Sequence, residues 1–157
     1  MKSKKEKSYP KPEVKKWIAS DRNGGVVIPQ SQSRQHIIDG LDSDIKSDVI
    51  LERFMKLSGM PNKVLAEKVL EISPKTLLSY RNSPKDLPVR IKEHILKLED
   101  LFKKGLELFE TPEKFNRWLK SESFGLGYSV PLNMIKSITG IDLVMEELIR
   151  IEFGATA

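Results

Sequence analysis

The sequence predicts an all-α fold. Apolar residues recur at helical spacing over most of residues 48–153. Signals for helix starts and stops divide that pattern, with Ser, Thr or Asn before the periodic runs and Gly or Pro after them. These signals predict six or so helices and at most one minor strand. The strand candidate is the short segment GGVVIP, which Pro29 would end.

The composition bounds the class of protein. The 157 residues are enough for one ordinary domain or two small ones. The absence of Cys excludes disulfides and thiolate metal sites, and only two His are present, so we expect no metal and no cofactor. No apolar run reaches the roughly 18 residues of a membrane span, and the Lys-rich start lacks the apolar segment of a signal peptide. We therefore expect a cytoplasmic protein that does not enter a membrane.

The charge is unevenly distributed along the chain. Residues 1–16 hold seven Lys and two Glu, and residues 17–45 hold two Arg and four Asp. Residues 46–92 hold ten basic and five acidic side chains, whereas residues 93–157 hold eight basic and eleven acidic ones. We therefore predict a basic arm and linker at 1–45, a basic domain at 46–92 and an acidic helical domain at 93–157. The alternative for the middle segment is that its charges only keep helix faces solvated.

The first 59 residues contain few clear elements. Residues 1–16 are expected to be disordered when alone, and residues 17–45 to be a linker with transient structure. The segment QHIIDGLDSD allows one helical turn before Gly40. From Asp48 the pattern becomes helical, and Gly59 ends that run.

Two capped helices are predicted next. Asn62 is the expected N-cap of NKVLAEKVL. Ser73 is the expected N-cap of the following helix, and Pro74 occupies its first position, where a missing N–H costs nothing. We expect Leu77 and Leu78 to face inward.

The longest predicted helix spans residues 88–110. Its apolar seam is spaced 4, 3, 4, 3, 4 and consists of Ile91, Ile95, Leu98, Phe102, Gly105 and Phe109. A glycine on the seam costs about 1 kcal/mol relative to Ala, which indicates close approach of another helix. The seam can be intramolecular core or a dimer interface. We expect it to serve partly for dimerisation, because a weakly basic recognition helix needs two copies.

Three further helices are predicted after residue 110. Thr111 caps the first of them, with Pro112 at its first position, and its buried face is Phe115, Trp118 and Leu119. After the loop GLGYSVP, Pro131 starts a short helix that Gly140 is expected to stop. The last helix carries the apolar residues Ile141, Val144, Met145, Leu148 and Ile151.

The segment LAEKVLEISPKTLLSYR has the features of a helix-turn-helix motif. Ala66 is the small residue that lets the second helix pack across the first, and Ile72 is the apolar residue of the turn. The second helix would present residues suited to phosphate and base-edge contacts, namely Lys75, Thr76, Ser79, Tyr80 and Arg81. The alternative is any compact three-helix domain. The turn EIS lacks the usual glycine and is preceded by one extra residue, and the helix has only two bases, so we expect affinity to come mostly from phosphates and from a dimer.

Patterns typical of enzymes are nearly absent. The GLG at Gly125–Gly127 lacks a third glycine and a preceding strand, so it predicts a turn. Glu146 and Glu147 are neighbours and cannot face one another on a helix. His94 and Trp118 are interpreted as solvated or packed residues rather than as a catalytic base and a binding platform. We therefore do not expect an enzyme.

The C-terminal segment LFETPEKFNRWLKSESFGLGYSVPLNMIKSITGIDLVMEELIRIEFGATA resembles the toxin-binding domain of the Xre/MbcA/ParS antitoxins. The matching elements, in order, are the cap at 109–112, FNRWL at 115–119, LG at 126–127, PLNMI at 131–135, Gly140 and ELIRIEFG at 147–154. In that family an Xre-like helix-turn-helix precedes the domain, and residues 49–81 agree. The resemblance covers roughly residues 45–157.

The resemblance implies an antitoxin of a type II toxin–antitoxin pair. The usual partner is a RES-domain toxin, which depletes NAD. Such antitoxins are typically homodimers that cover the toxin's active site with their C-terminal end and repress their own operon by binding operator DNA. The competing interpretation is a dimeric helix-turn-helix transcriptional regulator without a toxin partner.

We expect the C-terminal end of the chain to contact the toxin. The expected contact residues are Glu147, Arg150, Glu152, Phe153, Gly154, Ala155, Thr156 and Ala157. Phe153 would be the apolar anchor, Gly154 would end the helix in a left-handed conformation, and the small tail would fit a narrow cleft. Glu146, Glu147 and Glu152 would complement a basic NAD-binding cleft. The alternative is a frayed chain end.

Overall fold

The computed structural model describes residues 31–42, 47–82 and 87–154. Over these ranges the prediction of an all-α fold is confirmed, since they contain no strand, only one isolated bridge between Ser123 and Ser129. The basic arm and the GGVVIP strand candidate lie outside the described residues, as do Ala155–Ala157. The helices of these ranges are α1 (Ser31–Asp42), α2 (Ser47–Ser58), α3 (Asn62–Val64), α4 (Pro74–Asn82), α5 (Val89–Phe109), α6 (Pro112–Leu119), α7 (Pro131–Met134) and α8 (Ile138–Glu152).

Helix α5 is the centre of the fold. Helices α2 and α8 both pack on it, and the described residues from Gln32 onward group into one compact unit. The expected division between residues 92 and 93 falls inside α5, and it stays a prediction.

The apolar seam of α5 is intramolecular core. Its members from Ile91 to Gly105 are buried within the chain, and Phe109 is half-buried. The close approach expected at Gly105 is confirmed, because a Cβ there would lie 2.5 Å from the ring of Phe115 on α6. The seam from Ile91 to Gly105 therefore does not serve as a dimer interface, because α2, α6 and α8 already cover it, and dimerisation itself stays a prediction.

The prediction of a linker at 17–45 is wrong for its last part, because residues Ser31–Asp42 form helix α1. The helix runs through Gly40, where only one turn had been expected. Gly40 is buried, and a Cβ there would lie 2.7 Å from Cδ1 of Leu96 on α5. The missing side chain therefore lets α1 lie close to α5, and this packing outweighs the low helix propensity of glycine.

The segment around α3 differs from the prediction at its start. Asn62 is the first residue of α3 and not its N-cap, which is Pro61 without a side-chain hydrogen bond. After Val64 the chain continues as a π-helical turn, Leu65–Val69, closed by the Leu70 amide donating to the Leu65 carbonyl over 2.9 Å. A π turn holds one more residue than an α turn, so it accommodates the extra residue noted before EIS.

The predicted caps of α4 and α6 are confirmed. Ser73 Oγ accepts from the Thr76 amide over 3.0 Å, and Thr111 Oγ1 accepts from the Lys114 amide over 3.3 Å. On α4 only Leu77 is buried. The expectation that Leu78 faces inward is wrong, since it is 52% exposed.

The predicted role of Gly140 is wrong. It does not stop a helix but lies in the first turn of α8, where its amide donates to the Ser137 N-cap over 3.0 Å. A side chain at this position would run into the carbonyl of Met134, the last residue of α7. Gly140 therefore permits a close junction between α7 and α8.

Candidate functional site

The segment from α3 to α4 consists of a helix, a turn and a second helix, the order that a helix-turn-helix requires. Ala66 is fully buried, as a crossing of the two helices requires, and Ile72 in the turn is half-buried against the core. Glu71 has a φ of 52°, a left-handed conformation that glycine adopts without strain. The turn therefore has the backbone that the missing glycine would have supplied, held by a strained glutamate.

Some of the residues predicted to contact DNA are exposed, and the others form contacts within the chain. Lys75 and Ser79 are exposed on α4, and Arg81 is exposed with Glu52 3.7 Å away. The hydroxyl of Thr76 is bonded to Ser73, and Tyr80 packs partly against the core. The accessible part of this set is Lys75, Ser79 and Arg81. Together with the exposed Leu78 these residues form the surface that we call the α4 face.

The C-terminal end of α8 exposes an aromatic ring. Phe153 is 65% exposed and caps the helix, with its amide bonded to the Ile149 carbonyl over 3.1 Å. Gly154 has a φ of 70°, which confirms the left-handed residue predicted after the helix. The tail predicted to enter a toxin cleft, Ala155–Ala157, lies outside the described residues.

Glu147 is buried, although the sequence had suggested a surface contact. Its side chain is 3% exposed, its Oε1 accepts from Ser123 Oγ over 2.8 Å, and its Oε2 lies 2.8 Å from Nη2 of Arg150. The same Arg150 nitrogen donates to the Gly125 carbonyl over 3.1 Å. Glu147 and Arg150 therefore hold residues 123–125 against α8.

Two exposed aromatic side chains lie in and just after residues 123–125, and the sequence reasoning did not identify them. Phe124 and Tyr128 are 70% and 64% exposed, and their rings meet edge to face with centroids 5.6 Å apart. Residues 124–126 form a 3₁₀ turn, and Tyr128 has a φ of 62°, which is strained for a residue with a side chain. We call residues 123–129 the aromatic loop. The available signal was two aromatic residues in a glycine-containing loop without helical periodicity.

The acidic residues near the end of α8 have different environments. Glu146 is exposed, whereas Glu152 forms an ion pair with Lys104 of α5 at 2.8 Å. With Glu147 buried, Glu146 and the 39% exposed side chain of Glu152 are the members of the predicted acidic set that a partner can reach.

His94 is buried on α5. Its Nε2 lies 2.8 Å from the carbonyl of Ile135, so the ring donates there. Burial lowers the pKa of His94, opposed by that hydrogen bond, and the imidazole is therefore kept neutral. Within the described ranges no cluster of three or more potential metal ligands occurs, and no helix is long and apolar enough to cross a membrane.

The comparison with protein families finds a match that covers the C-terminal third of the chain. Residues 104–154 match the model of the antitoxin Xre/MbcA/ParS C-terminal toxin-binding domain. The match begins in α5, takes in α6, the aromatic loop, α7 and α8, and ends at Gly154. No curated protein matches the chain significantly. Residues 104–154 are therefore similar to the C-terminal toxin-binding domain of the Xre/MbcA/ParS antitoxins.

Proposed function

We propose that this chain is an antitoxin that neutralises its toxin with the aromatic loop and the end of α8. The observation that carries the proposal is the exposure of Phe124, Tyr128 and Phe153 on a domain whose other aromatic rings are buried or half-buried. Exposed aromatic residues are the usual anchors of protein interfaces. The aromatic loop and Phe153 are joined through Arg150, which lies on α8 one turn before Phe153 and bonds to Gly125.

In this proposal Glu147 positions the contact surface and does not touch the toxin. It holds Ser123 and Arg150, so the aromatic pair is presented in one arrangement before the toxin binds. A surface that is ordered in advance loses less entropy on association. Arg150, Glu152, Phe153, Gly154 and the tail remain the proposed direct contacts, with Phe153 as anchor.

The proposed partner is a RES-domain toxin that depletes NAD. The family resemblance supports this class, and the exposed Glu146 suits a cleft that binds an anionic dinucleotide through basic residues. The residues that follow Gly154 are Ala, Thr and Ala, whose side chains are small enough to enter such a cleft.

Rescue of cells that express the toxin tests the neutralising surface. Deletion of residues 150–157, Phe153→Ala and the pair Phe124→Ala/Tyr128→Ala should each weaken or abolish rescue at equal protein abundance. Phe153→Ala keeps Arg150 and its contacts, so its effect separates lost binding from a loosened fold. Val89→Ala, which truncates an apolar residue 70% exposed at the start of α5, is the matched control. Full rescue by all three variants would refute the proposal.

We further propose that the α4 face binds operator DNA and that the chain represses its own operon as a homodimer. The support is the order helix, turn, helix from α3 to α4, the exposed bases Lys75 and Arg81, and the excess of basic residues in 46–92. Since the α5 seam is buried, a dimer would have to use another surface.

Binding to the promoter of its own gene tests this second activity. Affinity should fall steeply as salt rises, and Lys75→Ala/Arg81→Ala should weaken the complex while the circular dichroism of the fold stays unchanged. An unaltered mobility shift in the double variant would remove α4 from the DNA site. Promoter binding without any rescue of toxin-expressing cells would favour the transcriptional regulator without a toxin partner.

A further inference from the structure

A cleft joins the toxin-binding domain to the helix-turn-helix segment. Gly59 and Pro61, in the turn between α2 and α3, form one side, and side chains of α6 form the other. Asn116 of α6 holds the two sides together by donating to the Ser58 carbonyl over 2.7 Å. The lining residues on this side are Glu113, Asn116 and Arg117 of α6 and Lys120, the residue that directly follows the helix.

Two cations of this cleft are available to an anion. Arg117 and Lys120 are exposed, and in the part of the chain that the structure describes no carboxylate lies within ion-pair distance of either. The other basic side chains of residues 104–154 do form ion pairs, namely Lys104 with Glu107 and Glu152, Lys114 with Glu110, Lys136 with Glu71 and Arg150 with Glu147. The one acid that lines the cleft, Glu113, leaves it net basic.

The position of the cleft relates it to DNA. Pro61 directly precedes α3, the first helix of the helix-turn-helix. When such a motif docks, its second helix enters the major groove and its first helix crosses the phosphate backbone. Side chains beside the start of α3 are therefore placed next to phosphates that flank the groove read by α4. Lys63, two residues after Pro61 on α3, is a further exposed cation of this segment.

We propose that Arg117 and Lys120 bind phosphates of the DNA backbone, so that α6 of the toxin-binding domain is part of the DNA interface. The proposal rests on the proposed binding of DNA by α4. Contacts to phosphates position a protein without reading sequence. The two residues should therefore contribute equally to operator and unrelated duplexes, while α4 supplies the preference between them.

The test is the salt dependence of binding by Arg117→Ala/Lys120→Ala, with the chain's own promoter duplex and an unrelated duplex of equal length as probes. Each lost phosphate contact should lower the slope of log K against log salt by about 1, so the double variant should lose about 2. Affinity should fall for both duplexes with the ratio between them unchanged. Lys103→Ala/Lys114→Ala removes the same charge from two exposed, ion-paired lysines and should leave the slope nearly as in the parent chain.

The possible outcomes separate this inference from the proposed DNA binding. If Lys75→Ala/Arg81→Ala weakens binding and Arg117→Ala/Lys120→Ala does not, α4 binds DNA and the inference about α6 is wrong. If the control pair lowers the slope equally, the effect is one of net charge and the inference is also wrong. If Arg117→Ala/Lys120→Ala loses rescue of toxin-expressing cells and keeps DNA binding, the cleft binds protein. If the parent chain binds neither duplex, both proposals fail.

Discussion

Two buried carboxylates on the two long helices support the two candidate surfaces in different ways. Glu99 of α5 grips Arg53 of α2 through two hydrogen bonds of 2.7 Å, and this pair lies within the packing of α2 on α5. Glu147 of α8 grips Ser123 and Arg150, and this group lies directly under the aromatic loop. The α4 face therefore depends on the packing of helices that lie beneath it, whereas the aromatic loop is held directly by polar contacts to its own residues.

The difference indicates how each surface would meet its partner. DNA offers phosphates at regular spacing, so a rigid helix with flexible basic side chains is sufficient. A protein partner is recognised by a few well-packed anchors, and these need defined positions before binding. Loss of Glu99 contacts should thus act on the whole fold, and loss of Glu147 contacts mainly on one surface.

Arg53→Ala should have the largest effect on stability. It leaves the carboxylate of Glu99 buried without its guanidinium, which should lower the free energy of unfolding by about 2–3 kcal/mol, less than for a fully buried pair because Arg53 is half exposed. Urea denaturation followed by circular dichroism measures the change. The double variant Arg53→Leu/Glu99→Leu should lose less than the single one. A single variant as stable as the parent would show that the pair contributes little.

Glu147→Ala should have the next largest effect, with a loss of about 1–2 kcal/mol in the free energy of unfolding. The hydroxyl of Ser123 and the guanidinium of Arg150 lose their partner, so the aromatic loop should loosen and toxin affinity should fall as well. Glu146→Ala, an exposed neighbour, should stay within about 0.5 kcal/mol of the parent. Equal losses of stability in both variants, with toxin binding intact, would contradict the positioning role of Glu147.

Tyr128→Gly should move stability and binding in opposite directions. Glycine relieves a left-handed conformation, which should leave the chain as stable as the parent or up to about 1 kcal/mol more stable, while the lost ring weakens toxin binding. Tyr128→Ala removes the ring but keeps the strained backbone, so it should weaken binding with no gain in stability. Calorimetry of unfolding and of toxin binding gives the two quantities. Unchanged binding in both variants would exclude Tyr128 from the interface.

Glu71→Gly makes the corresponding change in the helix-turn-helix. It should raise the free energy of unfolding by about 0.5–1 kcal/mol by removing the strain at a φ of 52°. Operator affinity should not change, because the α4 face does not include this turn. Glu71→Ala keeps the strain and should give no gain. A loss of operator affinity in Glu71→Gly would show that the strained turn shapes the α4 face.

The most gradual effect should be the pH dependence that His94 causes. Burial lowers its pKa in the folded chain, whereas in the unfolded chain the pKa is near 6.5. Between these two values the unfolded state binds more protons, so stability is full above pH 6.5 and falls as pH decreases through this window. His94→Gln should flatten that part of a plot of Tm against pH. An identical slope in the variant would assign it to other groups.

Local chemistry made part of the fold predictable. Ser73 and Thr111 cap helices by bonding to amides three residues on, which a sequence displays directly. The seam of α5 predicted a helix with a buried face. It did not reveal whether that face packs against its own chain or against a second copy, since an intramolecular core and a dimer interface need the same spacing of apolar residues.

Features that depend on distant residues could not be predicted. From the sequence alone, Gly40 and Gly140 both predict the end of a helix. Their actual role becomes clear only when Leu96 is seen beside Gly40 and Met134 beside Gly140. Glu147 reads as a surface acid, because its burial depends on Ser123 in a loop 24 positions earlier. The exposure of the aromatic loop could not be predicted for the same reason, since it depends on how the surrounding residues pack and not on the sequence of the loop.

The π turn at Leu65–Val69 has a consequence for relatives of this chain. A π turn holds one residue more than an α turn. Chains with one residue fewer in this segment should carry an ordinary α turn here, with the buried Ala66 position and the α4 face unmoved. An alignment with such chains should thus open a single-residue gap between positions 65 and 70, and an alignment without that gap would misassign every position of the α4 face by one.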